Sequence, residues 1–286
     1  MLEIFFLVLV FFTPLIYVTN TREMYEFPKM FFVYILGSTI ILLFALSKIR
    51  APSSINMGNP LALLLMLSFA VSTVFSTHVY TSVWGYYSRF NGGLVSVLVF
   101  FGLYIVAINT FSKEQKERIL KLALLGMVPV VIFAIYQHFY GELRVFSTFG
   151  QPNWLAAYLV MLLPLALYLS LQKSKEKIFW IIVFLFGFAG LWFTYSVSGL
   201  LGFILGILLF CFLNFVLLKQ SLKQVFLMFV ISTTIVVLNL GTFDKRLHDA
   251  FIDAQNFITY RVTAYAQEVY NLSDPGFIRT GLWQGT

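Results

Sequence analysis

Charged residues are scarce in this chain. Asp, Glu, Lys and Arg make up 11% of the 286 residues, whereas hydrophobic residues make up 60% and aromatic residues 19%. Soluble domains carry about 25% charged residues, and the mean hydropathy of this chain is +0.88. The composition excludes an ordinary soluble domain and predicts a polytopic membrane protein surrounded by lipid.

Cysteine and histidine are also rare. The single cysteine, Cys211, lies in an apolar run, so an internal disulfide is excluded. Three histidines without a zinc-type spacing predict no metal site, and no motif indicates another cofactor. The net charge of +7 fits the excess of basic residues on the cytoplasmic side of membrane proteins, so we predict no nucleic-acid partner.

Long apolar runs dominate what is present. A spanning helix needs roughly 17–25 mostly apolar residues, and apart from Glu3 and Lys121 at run ends the runs carry no charge. Nine runs qualify approximately: residues 2–18, 30–46, 60–77, 93–109, 120–138, 154–171, 178–195, 199–218 and 225–240. The prediction is therefore an all-α fold, a bundle of about nine spanning helices over residues 1–240. The Gly202-x-x-x-Gly206 spacing indicates close helix packing.

The segment after the ninth run has a different pattern. Apolar residues recur every three or four positions from Leu247 to Val269, which predicts an amphipathic helix. A Ser-Asp-Pro-Gly break at residues 273–276 precedes a second helical start that carries Arg279. We interpret residues 241–286 as the beginning of a large external loop, with the chain ending before the loop is complete.

Basic residues predict the orientation. Eleven Lys and Arg fall in one set of connections and four in the alternate short loops, so the first set is predicted to be cytoplasmic, together with the N-terminus. The side predicted to be external holds six Arg and two Lys, whereas the cytoplasmic side holds nine Lys and two Arg. The arginine fork binds phosphate and carboxylate in a bidentate manner, so this bias favours an anionic ligand outside. The alternative is that these arginines pair with acidic residues or lipid headgroups.

Two external segments carry the polar candidates. Arg89 and Asn91 lie in Trp-Gly-Tyr-Tyr-Ser-Arg-Phe-Asn-Gly-Gly, residues 84–93, which suits either a membrane-interface belt or a glycan site. The second segment, Gly-Gln-Pro-Asn at 150–153, opens the sixth apolar run. Asn153 is predicted to cap that helix, and with Gln151 to line a polar cavity at its mouth.

These segments resemble a known family. Arg144 to Asn153 followed by Leu-Ala-Ala-Tyr-Leu at 155–159 resembles the "R…tFgNPN-x-LA-x-YL" segment of the O-antigen ligase and O-antigen polymerase superfamily, which includes bacterial protein O-oligosaccharyltransferases. Residues 85–93 resemble its "G…R-x-nGl" loop, and Thr-Tyr-Ser-Val-Ser-Gly at 194–199 its "T-x-SR-g" turn. Arg279-x-x-x-Trp283 resembles a helix start in its large external loop. Val197 stands where the family has Arg.

The resemblance implies a multi-pass protein of the bacterial inner membrane, a glycosyltransferase. It would move a glycan from an undecaprenyl-diphosphate carrier to a hydroxyl of a glycolipid, glycan or protein acceptor on the external face. The implied substrate-binding residues are Arg89, Asn91, Arg144, Gln151, Asn153 and Arg279. The family's catalytic His lies further along the external loop, so it is expected downstream of Thr286 and no catalytic residue is predicted within this chain.

Two other interpretations stay open from sequence. A membrane transporter or channel is disfavoured, because no acidic residue lies in the interior of an apolar run, where ion-coupled transporters place one. A non-catalytic homologue or fragment fits Val197 and the absence of the family His.

Overall fold

The computed structural model describes residues 1–214 except 22, 142, 143, 173 and 174, together with residue 232. This part of the chain folds into α-helices and two short 3₁₀ turns, with no strand. The helices are α1 (Leu2–Phe12), α2 (Glu26–Arg50), α3 (Pro60–Val74), α4 (Val79–Trp84), α5 (Leu94–Thr110), α6 (Lys113–Phe139), α7 (Pro152–Leu171), α8 (Lys177–Phe193) and α9 (Val197–Leu213). The all-α class is therefore confirmed for the described residues. The ninth apolar run (except Ser232) and the segment 241–286 lie outside them.

The predicted number of spanning helices is wrong for the described part of the chain. Three helices there, α2, α6 and α7, are long and apolar enough to cross a membrane. The other apolar helices are shorter; α5, α8 and α9 have 17 residues each. A 17-residue helix is about 26 Å long, at the lower limit of the length that a span needs. At α8 the cause is local, because the turn at Thr194 to Ser196 ends the helix at Phe193, before its apolar run ends at residue 195.

Two hydrophobic cores hold the helices together. One is formed by α6, α7 and α8, where Leu124, Leu159 and Leu163 are completely buried. The other joins α1, α2 and α5 around Ile40 and Val106. The outward faces of the same helices stay apolar: Leu61 on α3 is 71% exposed and Leu205 on α9 is 66% exposed. Apolar surface of this extent is rare on soluble monomers.

The connections form two groups at opposite ends of the long helices. At one end, named here the Arg118 end, Arg118 Nη2 lies 2.7 Å from Glu3 Oε1 and Lys121 Nζ donates to Glu176 Oε2 over 2.9 Å. The hydrogen bond from Lys121 holds the pKa of the Glu176 carboxyl below its ordinary value. The other end, the Arg89 end, gathers residues 18–21, 23–25, 85–93, 144–151 and 194–196. For the basic residues that the structure describes, the two ends match the two sets of connections separated by the count of basic residues.

Helix α9 packs on α7 through glycine. A Cβ at Gly202 would lie 3.5 Å from Val160 and one at Gly206 3.8 Å from Pro164, which confirms that this spacing marks a packing surface. Gly199, one turn earlier, is tighter, because its Cβ would lie 2.6 Å from the Cβ of Ala156. Only glycine fits between α7 and α9 at residue 199.

We expect Gly199→Ala to destabilise the protein by about 1–3 kcal/mol, because the added methyl group forces α7 and α9 apart. Gly202→Ala is the matched control, since its methyl group would make an ordinary contact. Thermal unfolding of both variants in detergent checks this expectation. Equal melting temperatures for the two would contradict the tight packing at residue 199.

Candidate functional site

Three sequence-distant segments meet at the Arg89 end. The Arg89 guanidinium carbon lies 5.0 Å from the centre of the Trp154 ring, which joins the loop before α5 to the start of α7. The backbone N–H of Val145 donates to the Phe193 carbonyl over 3.2 Å, which joins the loop before α7 to the end of α8. The residues quoted for the family resemblance, except Arg279 and Trp283, are therefore neighbours in space. Arg279 and Trp283 lie outside the described residues.

Arg144 and Asn153 form the centre of this cluster. Arg144 Nη2 donates to Asn153 Oδ1 over 3.2 Å, and Arg144 Nε donates to the Thr194 carbonyl over the same distance. Ser196 Oγ donates to Asn153 Oδ1 over 2.8 Å. The guanidinium of Arg144 thus contacts the turn between α8 and α9.

The prediction that Asn153 caps α7 is wrong. The helix begins at Pro152, and Gln151 occupies the cap position without a side-chain hydrogen bond. The Gln151 carbonyl instead accepts from the N–H groups of Trp154 and Leu155 over 3.1 and 3.2 Å. The rigid φ of Pro152 suits the first helical position, so the helix starts without an Asx cap. The Asn153 side chain is therefore available to the network of Arg144 and Ser196.

Arg89 lies between acidic and aromatic groups. Its Nε is 3.5 Å from Glu26 Oε2 and 3.8 Å from Glu23 Oε2. The guanidinium carbon is 5.6 Å from the ring centre of Tyr86, on the same loop. Within the described part of the chain the buried Nε makes no hydrogen bond, although 38% of the side chain is exposed. The sequence pattern gave no signal for either carboxylate, Glu23 in the loop before α2 or Glu26 at the first position of α2.

Further hydrogen bonds fix the loop that carries Arg144. Gln137 Oε1 on α6 accepts from the backbone N–H groups of Phe146 and Ser147, over 3.2 and 2.7 Å. Thr148 Oγ1 donates to the Pro14 carbonyl over 2.6 Å, and Lys29 Nζ donates to the Thr148 carbonyl. The loop is held on three sides, by α6, by the end of α1 and by α2.

Backbone strain is concentrated at the same end. Phe90, Ser147 and Tyr195 are the non-glycine residues with positive φ among those described, and each belongs to a different loop of the cluster. Such conformations cost on the order of 1 kcal/mol or more each and are typical of functional sites. At Gly150 (φ 73°) a Cβ would collide with the Tyr25 ring, so this turn requires glycine.

The remaining candidate residues lie at the edge of the Arg144–Asn153 cluster or beyond it. Asn91 is exposed, and its contribution to the loop is a backbone carbonyl that accepts from the Tyr86 N–H over 3.2 Å. Gln151 is half-buried at the start of α7. His138 stacks on Phe193 with ring centres 4.0 Å apart, and its buried Nδ1 finds no hydrogen-bond partner among the described residues. Packing against Phe193 therefore holds the His138 ring in place.

The cavity beside this cluster is too small for a ligand. That cavity, lined by Phe188, Leu191, Trp192, Ser196 and Leu200, has a volume of about 10 Å³, room for one water molecule. Among the described residues no group of three His, Cys, Asp or Glu side chains could hold a metal ion. Cationic and amide donors are the chemistry that the site offers.

Comparison with known proteins adds no assignment. Searches against protein-family models, curated proteins and solved structures find no significant match to this chain. The function must therefore be argued from the site itself.

Proposed function

We propose that this protein binds a glycan linked to undecaprenyl diphosphate at the Arg89 end and promotes transfer of the glycan to an acceptor hydroxyl. One observation carries the proposal: Arg144, Asn153 and Ser196 share a hydrogen-bond network, while Arg89 lies on Trp154. Three segments that resemble separate motifs of the O-antigen ligase and polymerase superfamily thereby form one site.

The chemistry requires a site for a leaving anion. The acceptor hydroxyl attacks the anomeric carbon, the bond from that carbon to the diphosphate oxygen breaks, and undecaprenyl diphosphate departs with the electron pair. Guanidinium groups at the diphosphate stabilise this developing charge. Arg144 contacts the turn between α8 and α9, since its Nε donates to the Thr194 carbonyl. It can therefore supply a guanidinium there, where Val197 stands in place of the arginine of the resembled family. The proton of the hydroxyl goes to a base, for which the resemblance assigns no residue in residues 1–286.

The membrane setting belongs to the same proposal. The exposed apolar faces and the three long apolar helices support a bundle embedded in a bacterial inner membrane. The Arg118 end carries the lysine-rich connections and the N-terminus, so it faces the cytoplasm. The Arg89 end then faces outward, where a lipid-linked glycan would present its diphosphate at the membrane surface.

The test is donor consumption by the purified full chain in lipid nanodiscs. The nanodiscs contain undecaprenyl-diphosphate-linked glycan, and each acceptor class (glycolipid, second glycan donor, protein) is added in turn. Appearance of free undecaprenyl diphosphate with a glycosylated acceptor supports the proposal. Donor binding without turnover indicates the non-catalytic homologue, and the absence of both overturns the proposed function.

A further inference from the structure

The side-chain amide of Asn153 has a fixed orientation. An arginine side chain has no acceptor atom, so the Asn153 atom that faces Arg144 must be the carbonyl oxygen. Ser196 Oγ donates to the same oxygen over 2.8 Å, while Arg144 Nη2 donates over 3.2 Å. Both lone pairs of this oxygen are therefore used, and the NH₂ group lies on the opposite side of the amide.

The NH₂ group of Asn153 is the unused part of this network. Among the described residues no acceptor takes a hydrogen bond from Nδ2, and the residue is half-buried at the mouth of α7. The Arg89 guanidinium carbon lies 5.0 Å from the ring centre of the next residue, Trp154. Asn153 therefore presents two N–H donors on a side chain that contacts the Arg144 guanidinium, and its chain neighbour Trp154 contacts Arg89.

This arrangement selects for a particular ligand atom. A sugar hydroxyl both donates and accepts, so it is bound best where a donor and an acceptor lie side by side. Asn153 provides donors alone, because its acceptor oxygen is saturated. A phosphate oxygen accepts without donating and carries the negative charge that Arg89 attracts. Donor groups and positive charge together match a phosphate oxygen.

We infer that Asn153 Nδ2 donates a hydrogen bond to a diphosphate oxygen of the lipid carrier, with Arg144 and Ser196 holding its carbonyl oxygen in place. The inference rests on the proposed function and adds to it the group of the substrate that Asn153 binds. Asn153 thus recognises the carrier and not the sugar, so this contact is independent of which glycan is attached.

Two substitutions remove the N–H donors. Asn153→Asp keeps an oxygen for Arg144 and Ser196, so the melting temperature should stay at or above that of the wild type, but the donors are lost. Asn153→Ala removes the donors without adding charge, and it also removes the oxygen that Arg144 and Ser196 share, so a lower melting temperature is expected for this variant alone. The probe is undecaprenyl diphosphate without glycan, with undecaprenol as the control lipid. Dissociation constants are measured for the full chain in nanodiscs, and each variant should bind the probe about 10- to 100-fold more weakly.

The outcomes separate the inference from the function. Weaker binding by both variants, with undecaprenol unaffected, supports the inference. If the wild type binds undecaprenyl diphosphate and Asn153→Ala binds it equally well, the inference is overturned and the proposed function stands. If the wild type does not prefer undecaprenyl diphosphate to undecaprenol, the proposed function fails and the inference fails with it.

Discussion

Arg89→Lys is expected to lower donor turnover by about 100-fold, the scale of losing one preorganised donor at a developing anion. Lysine keeps the positive charge that faces Glu23 and Glu26, so the ion pairs at 3.8 and 3.5 Å have a replacement. What lysine lacks is the planar fork, which lies over Trp154 and can bind two phosphate oxygens at once. The measurement is the rate at which undecaprenyl diphosphate is released in nanodiscs.

The matched control is Arg118→Lys. Arg118 also pairs with a carboxylate, Glu3, but at the opposite end of the helices, with Nη2 and Oε1 2.7 Å apart. The same chemical change should leave turnover within about twofold of the wild type, since exposed ion pairs contribute little to stability. A similar loss in both variants would mean that arginine matters for folding or insertion. Unchanged turnover in Arg89→Lys would remove Arg89 from the site.

Glu23 and Glu26 give the Arg89 result its physical meaning. They hold the guanidinium at ion-pair distance without forming a hydrogen bond to its Nε. An arriving diphosphate therefore competes with two carboxylates for Arg89. The contact of Arg89 with Trp154 does not depend on that competition. It can therefore keep Arg89 in place while the anion paired with the guanidinium changes from a carboxylate to a phosphate.

Composition and periodicity predicted much of the fold. Long apolar runs correctly indicated helices, because hydrophobic composition over 15 or more residues leaves few other folds for the backbone. Helix length was predicted less well. Tyr195, in the turn after α8, has a positive φ. This local backbone conformation is not predicted by hydropathy. The same applies to Pro14, where a 3₁₀ turn follows α1.

Predicting the site from sequence was partly successful. The motif residues Arg89, Arg144 and Asn153 do cluster, whereas the helix-capping role of Asn153 is wrong because Pro152 starts α7 without a side-chain cap. Glu23 and Glu26 could not be assigned to Arg89, since more than 60 residues separate them in sequence. Only the packing of α2 against α5 brings their loops together. Long-range pairing of this kind leaves no local sequence signal.

Gln137→Leu is expected to be the most destabilising single change at this end of the protein. The Gln137 carbonyl oxygen accepts from two backbone N–H groups, those of Phe146 and Ser147. Leucine has similar size but no acceptor, so both N–H groups lose their partner. Ser147 is completely buried, and an unsatisfied buried donor costs about 1–3 kcal/mol. Phe146 is only partly buried, so the Ser147 N–H dominates the effect. We expect a loss of about 1–3 kcal/mol in the free energy of unfolding, measured by denaturant titration in detergent.

Gln137→Glu distinguishes this hydrogen-bond role from simple packing. A glutamate carboxylate has the same length and accepts from both N–H groups, so the free energy of unfolding should stay within about 1 kcal/mol of the wild type. Because Ser147 holds a positive φ of 49°, the loop returns to an ordinary conformation once Gln137 no longer holds it. Arg144 lies on that loop, so Gln137→Leu should also lose donor turnover while Gln137→Glu retains it. A stable, active Gln137→Leu protein would show that the loop is held by its contacts with Pro14 and Lys29 instead.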